Sequence, residues 1–412
     1  MANNVEISLI SIILICITAA AHERKSFSND FSALSQVNGD GICKTLVETQ
    51  GYKCEEHTVI TNDGYILSLQ RISTGRSGKK ADKPPVLLQH GLLCKFNSYT
   101  IFQDAVVWML NSPEESLGFI LADNGFDVWL VNGRGTKYST GHTSLTPNDA
   151  AYWEWTWDEL AGYDLPASVE YVFNHTGQKM HYAGHSQGTL VALVNLSQGK
   201  LLNMLRSAAL LSPIAHMNHV ASQVTKLAAQ LFLANDVYWL GLREFIPYSR
   251  ELTKRMDRIC STLKLSCGDI ISLITGPNCC VNASRVHLFF QHELHPTSTK
   301  NMIHLSQMIR TGQIAKYDYK FLNTLHYRQM VPPTYDMTKI PKDFPLFISY
   351  GGKDYLSDVQ DVKVLLNDLS INHDATKLVV LYKDEYAHLD FVAAFDAKQV
   401  VYDPMIAFYN NL

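Results

Sequence analysis

The stretch that most constrains the fold is Lys179-Met-His-Tyr-Ala-Gly184-His185-Ser186-Gln187-Gly188-Thr-Leu. Strand-compatible residues run to Ala183, and Thr189 to Leu196 is apolar enough for a buried helix, so Gly-His-Ser-Gln-Gly stands at a strand-to-helix junction. A serine on so sharp a turn has strained backbone angles, and side chains at the flanking positions would clash, which explains glycine at 184 and 188. The turn lifts the Ser186 hydroxyl clear of the sheet. It also puts the Gln187 amide at a helix N-terminus, where a developing oxyanion is stabilised. Ser186 is the candidate nucleophile.

The flanking chain supplies the sheet. Asn62-Asp63-Gly64 lies between two alternating runs, His57 to Ile72, and predicts a hairpin. Pro85-Val-Leu-Leu-Gln is a short apolar strand running into His90-Gly91-Leu92, and a loop in that place offers a second oxyanion amide, Leu92 N–H. His90 is read as a structural prop for the loop. A helix over Ser116 to Ala122 and a strand over Phe126 to Val131 continue the alternation of a parallel sheet. Arg134, in the loop that follows, is assigned to a buried ion pair, and Trp153, Trp155 and Trp157 to core and rim packing before an amphipathic segment from Asp158 to Phe173. Ser207 to Pro213, Phe344 to Tyr350 and Lys377 to Leu381 are further strands.

Between the first and second of these three, residues 217–330 carry apolar residues at helical spacing and no convincing strand. The expected architecture is α/β: a mostly parallel sheet flanked by helices, built from residues 41–216 and 331–412, with a helical cap inserted over the site.

Two loops complete the chemistry. Asp354 follows the Phe344 strand and His388 the Lys377 strand, and Ser, then Asp, then His is the chain order expected when later loops serve a serine elbow. His388 would be the general base for Ser186, with Asp354 fixing the imidazole tautomer and stabilising the imidazolium. Rival carboxylates are weaker. Asp358 and Asp361 fall at and inside a helix from Val359 to Leu369, with Asp358 a plausible N-cap, and Asp390 would have to fold back on a histidine two residues away. Neither metal nor organic cofactor is required.

Composition narrows the alternatives. With 46% hydrophobic residues in 412, the chain buries a large core, and a formal charge of −4 without a dense basic run argues against nucleic-acid binding. Ile7 to Ile17 is apolar, too short to span a bilayer, and followed by small residues, which reads as a secretory signal over residues 1–21; an uncleaved anchor is the alternative. No membrane-spanning segment is then expected in the mature protein. Residues 22–40 read as a flexible leader.

In an oxidising compartment Cys43 and Cys54 could close a short loop, and Cys260, Cys267, Cys279 and Cys280 could form two bridges of undetermined pairing, leaving Cys94 free. A zinc site with His287, His292 and His295 lacks the required spacing. Asn174, Asn195 and Asn282 begin glycosylation sequons; Asn174 and Asn282 are the candidate acceptors, because Asn195 falls inside the helix behind Ser186.

From about Val37 onward the chain resembles the acid lipase family, which includes gastric and lysosomal acid lipases and plant relatives. The matching signatures are His90-Gly-Leu-Leu93, Tyr163-Asp-Leu-Pro166, Gly184-His-Ser-Gln-Gly188, Tyr350-Gly-Gly-Lys-Asp354 and His388-Leu-Asp-Phe391. Thr299-Lys-Asn-Met and Val331-Pro-Pro-Thr-Tyr335 resemble the plant branch. The resemblance implies an α/β-hydrolase fold, a Ser186, Asp354 and His388 triad, and oxyanion amides at Leu92 and Gln187. It also implies hydrolysis of neutral acyl esters, triacylglycerols or sterol esters, at a lipid–water interface, in a secreted, vacuolar or lysosomal protein. Two rival readings remain: an esterase or acyltransferase on small soluble esters, and a non-catalytic binding protein of the same fold.

Overall fold

The computed structural model describes residues 41–92, 104–245, 267–281 and 296–412. The expected signal, the leader, Cys94, Cys260, Asn282 and the three histidines of the zinc alternative lie outside them.

The first hairpin pairs β1 (Lys53–Ile60) with β2 (Tyr65–Thr74) in antiparallel register, Ile60 opposite Ile66, and Gly64 takes φ +94° in the turn. A disulfide joins Cys43 to Cys54 and ties the segment before β1 to its start. The chain continues through β3 (Lys83–Gln89), α1 (Leu117–Asp123), β4 (Phe126–Val131), a two-residue β5 (Gly141–His142), α2 (Leu165–Thr176), β6 (Met180–His185), α3 (Gln187–Ser197) and β7 (Leu205–Leu211). After the insertion come β10 (Leu346–Gly351), α8 (Val359–Ser370), β11 (Leu378–Lys383) and α9 (Asp403–Asn410).

The main sheet runs in the order β1-β2-β4-β3-β6-β7-β10-β11, with β5 beside β2. Its first pairs are antiparallel; from β4 to β11 all are parallel. The central strands β4, β6, β7 and β10 are buried almost throughout because both sheet faces are covered. Successive residues then alternate between two cores: Leu87, Tyr182, Leu210 and Ile348 pack on one face, and Val86, Leu88, Ala183, Ala209 and Phe347 on the other. α3 is buried along its whole length against the first core. Trp153, Trp155 and Trp157 join the same core.

The insertion between β7 and β10 contains α4 (Gln223–Gln230), α5 (Leu233–Trp239), α6 (Cys267–Thr275) and α7 (Thr299–Thr311). One feature departs from the expectation of helices alone. A two-stranded ribbon, β8 (Glu244–Phe245) with β9 (Thr297–Ser298), pairs Glu244 with Ser298 and Phe245 with Thr297. Two residues are too few to impose a period of two on the sequence, so periodicity missed it.

Candidate active site

At the end of β6 the chain turns through Ser186, whose φ of 54° and ψ of −122° lie outside the regions ordinarily open to a residue with a Cβ. The neighbouring glycines are a matter of space. A Cβ on Gly188 would stand 2.5 Å from the Gln89 carbonyl, and one on Gly184 would stand 2.8 Å from the Gly188 carbonyl carbon. Side chains there would push α3 away from β3 and β6. The loop after β3 comes equally close: a Cβ on Gly91 would lie 2.5 Å from Ser186 Cβ, so Leu92 follows directly from a residue packed on the serine.

The structure brings Ser186, Asp354 and His388 together. His388 Nε2 is 2.8 Å from Ser186 Oγ, and its Nδ1 is 2.9 Å from Asp354 Oδ2 and 3.1 Å from Oδ1. All three side chains are buried. Burial alone would raise Asp354, but the facing imidazole and the amides of Ser357 and Leu356, at 2.8 and 2.9 Å, overcome it and hold the carboxyl below its ordinary value. An ionised Asp354 accepts the Nδ1–H of His388, which leaves the Nε2 lone pair toward the serine hydroxyl.

Beneath these three residues, His185 Nε2–H donates to the His388 carbonyl at 2.9 Å, and burial, reinforced by the nearby His388, pushes its pKa down to about 3. It is a neutral strut. His90 has the propping part assigned from sequence: its Nε2 accepts from Gly133 N–H at 2.9 Å, linking the loop after β3 to the loop after β4. Arg134 is fully buried and donates to Asp164 Oδ1 through Nε at 2.7 Å and to Asp63 Oδ1 through Nη2 at 2.9 Å. This ion pair locks the β1–β2 turn to the segment before α2. A cleft opens beside the expected oxyanion residues, with Leu92, Gln187, Trp155 and Val191 among its walls, but neither Ser186 nor His388 lines it.

The rival carboxylates have other work. Asp358 caps α8 by accepting Gln360 N–H at 2.8 Å, and Asp361 accepts from His219. Asp390 is engaged with backbone amides, and burial raises it to about 6 against their pull. Among the described residues, the one cluster close enough to hold a metal is Cys279, Cys280 and Asp390, and its two sulfurs are bonded to each other.

Sequence reasoning missed Asn301. It is buried in the first turn of α7, where its Oδ1 accepts from the side chain of Gln187 at 3.1 Å, so the insertion touches a residue of the expected oxyanion pair. A buried amide pair leaves no periodic trace; only the resemblance of Thr299-Lys-Asn-Met to the plant branch marked the place.

Residues 43–102 match the partial α/β-hydrolase lipase region, and residues 84–260 match the α/β hydrolase fold. Triacylglycerol lipase 2 of Arabidopsis thaliana is 46% identical over 90% of this chain and 88% of its own. The human lysosomal acid lipase/cholesteryl ester hydrolase is 36% identical over 88% of each, and human gastric triacylglycerol lipase 35% identical over 88% of this chain and 89% of its own. In fold alone, the chain is similar to a Bacillus coagulans carboxyl esterase, with a TM-score of 0.52 and 12% identity over 87% of this chain and 98% of that one. A soluble variant of Saccharomyces cerevisiae monoglyceride lipase gives 0.51 and 16% over 91% and 98%.

Proposed function

Because the chain belongs to the α/β-hydrolase family, with the plant triacylglycerol lipases and the gastric and lysosomal acid lipases, and is a carboxylic ester hydrolase, we propose that it cleaves neutral lipid esters through an acyl-enzyme on Ser186. The substrates are triacylglycerols or sterol esters. The observation that carries this reading is the 2.8 Å contact between His388 Nε2 and a Ser186 Oγ held on a positive-φ turn.

His388 removes the hydroxyl proton as Ser186 Oγ bonds to the ester carbonyl carbon. The carbonyl π electrons move onto oxygen, and the amides of Leu92 and Gln187 stabilise that charge, each donor contributing roughly 3 kcal/mol in comparable sites. When the C–O bond to the alcohol breaks, the His388 imidazolium returns its proton to the leaving oxygen. Water, deprotonated by the same imidazole, then attacks the acyl-serine and releases the fatty acid. Asp354 stays ionised throughout and holds the imidazole in register.

Residues 217–330 act in this reading as a cap that shapes the acyl site and meets the lipid surface. The protein enters the secretory pathway and works outside the cell or in an acidic compartment. Asn174 suits glycosylation because it is exposed at the end of α2, whereas Asn195 is buried with its amide bonded to the Ala161 and Val191 carbonyls. Among the described residues no helix is long and apolar enough to cross a membrane.

The test is a panel of short p-nitrophenyl esters, triolein and cholesteryl oleate from acid to neutral pH, with phosphonate labelling and Ser186→Ala as control. Turnover of short esters with none of either emulsified lipid would move the assignment to an esterase. Labelling that survives Ser186→Ala would remove the triad.

A further inference from the structure

The strap leaving α6, from Thr275 to Val281, belongs in sequence to the insertion but lies against the loop that carries His388. Three successive amides of that loop have assigned partners. Ala387 N–H donates to the Asp390 carboxylate at 2.7 Å, His388 N–H to the Thr275 carbonyl at 3.1 Å, and Leu389 N–H to Asn278 Oδ1 at 3.0 Å. Further along, Phe395 N–H donates to the Cys280 carbonyl at 2.9 Å, and Val281 bridges Ala394 in antiparallel fashion. The strap also touches the loop of the triad acid, because Tyr355 N–H donates to the Thr275 carbonyl at 3.3 Å.

Asp390 is where strap and loop are tied. Its side chain is fully buried, and besides Ala387 N–H it accepts Cys279 N–H on Oδ2 at 3.2 Å and Cys280 N–H on Oδ1 at 3.1 Å. The disulfide between these adjacent cysteines restricts that part of the strap and so presents both amides to one carboxylate. A carboxylate holding three N–H groups out of water is a strong anchor, and above its raised value of about 6 its ionised form makes hydrogen bonds about twice as strong as neutral ones. Asp390 does not compete with Asp354: one binds backbone amides on both sides of the seam, the other binds the imidazole.

We infer that Asp390 is a positioning residue for His388, clamping the histidine loop to the strap of the insertion so that Nε2 stays within hydrogen-bonding reach of Ser186. A general base displaced by about 1 Å can lose on the order of a hundredfold in rate, so the clamp acts on turnover and not on substrate binding. The inference rests on the reading of His388 as general base.

The test uses the full-length protein carrying Asp390→Asn, its active sites counted with a p-nitrophenyl phosphonate and its turnover measured on a soluble p-nitrophenyl ester. Asparagine has the same shape but turns an N–H₂ donor toward amides that need acceptors. The expected result is a fall of at least about tenfold in kcat per titrated site with KM within about twofold of wild type. A smaller fall, or a loss expressed only in KM, overturns the inference, because a purely structural role would reduce the yield of titratable protein and leave turnover per site intact. If Asp390→Asn gives no titratable protein, Asn278→Ala, which removes the acceptor for Leu389 N–H, is read in the same way with a threshold of about threefold. Wild-type protein that takes up no phosphonate at Ser186 sinks the catalytic reading itself; wild-type labelling with an unaltered Asp390→Asn sinks only the clamp.

Discussion

The parallel sheet and the helical insertion reach the same site by different physics. Strands β3, β6 and β10 place the Leu92 loop, Ser186 and Asp354 through ladder hydrogen bonds and two buried faces, so each of these positions is over-determined by many small contacts, while β11, an exposed edge strand, leads to His388 from its ladder with β10 alone. The insertion reaches the site through a few polar links: Asn301 to Gln187, Thr275 to His388, Asn278 to Leu389 and the amides of Cys279 and Cys280 to Asp390. In the proposed mechanism the chemistry stays in the sheet, and the proposed clamp makes its precision answer to single side chains elsewhere.

The largest effect belongs to the sheet side. Asp354→Asn keeps the shape but cannot stabilise the imidazolium or enforce the tautomer, so kcat should fall by roughly 10⁴-fold with folding preserved. Circular dichroism and ester turnover together check it. A fall of only tenfold would mean that another carboxylate serves His388, and that the sheet does not monopolise the chemistry.

Next comes stability. Arg134→Ala leaves the buried Asp164, and Asp63 beside it, without their cation, and breaking such a pair costs about 3–5 kcal/mol. Denaturant unfolding measures it, with turnover per titrated site expected to change less than in Asp354→Asn. Equal losses in both would show that the ion pair belongs to the active site as well as to the frame.

The contrast also explains what could be read from residues. Buried parallel strands appear as apolar runs, which is why the strand expected over Phe126 to Val131 coincides with β4, and Phe344 to Tyr350 overlaps β10. The elbow announced itself because its glycines answer to sterics, as the approach of Gly188 to the Gln89 carbonyl shows. The polar links were silent. Thr275 contributes only a carbonyl, Asn301 one amide in an ordinary helix turn, and Asp390 reads as a rival for the triad because two of its three backbone partners, the amides of Cys279 and Cys280, lie 111 and 110 residues back in the chain.

A smaller effect concerns protons. His181, His185 and His304 are each pushed down to about 3 by burial, and in each one ring nitrogen has no partner, so a proton there would be a buried donor without an acceptor. A histidine whose folded pKa is depressed stabilises above its unfolded value near 6.5 and loses that contribution as pH falls toward 3, at about 1.4 kcal/mol per pH unit. His304 sits in the insertion and stacks on Trp157 of the core, with centroids 4.1 Å apart. His304→Gln should therefore gain on wild type by about 2 kcal/mol between pH 6.5 and 5 in unfolding free energy. A parallel pH dependence of the two proteins would mean that the insertion opens before the sheet and carries no share of global stability.

The smallest predicted change probes the link from α7 to the expected oxyanion residue. Asn301→Ala leaves the Gln187 side-chain amide buried without its partner, while the Gln187 backbone N–H remains at the start of α3. The side chain does not itself bind the oxyanion, so the loss comes only from a looser backbone, and kcat should fall by about tenfold, or 1.4 kcal/mol. Because the transition state feels that amide more than the ground state does, KM for a soluble ester should stay nearly unchanged. Gln187→Ala removes the other half of the pair. If the two residues act as one unit, the double variant loses little beyond either single one; if their losses multiply, Asn301 acts on the substrate side of the insertion and its contact with Gln187 is incidental.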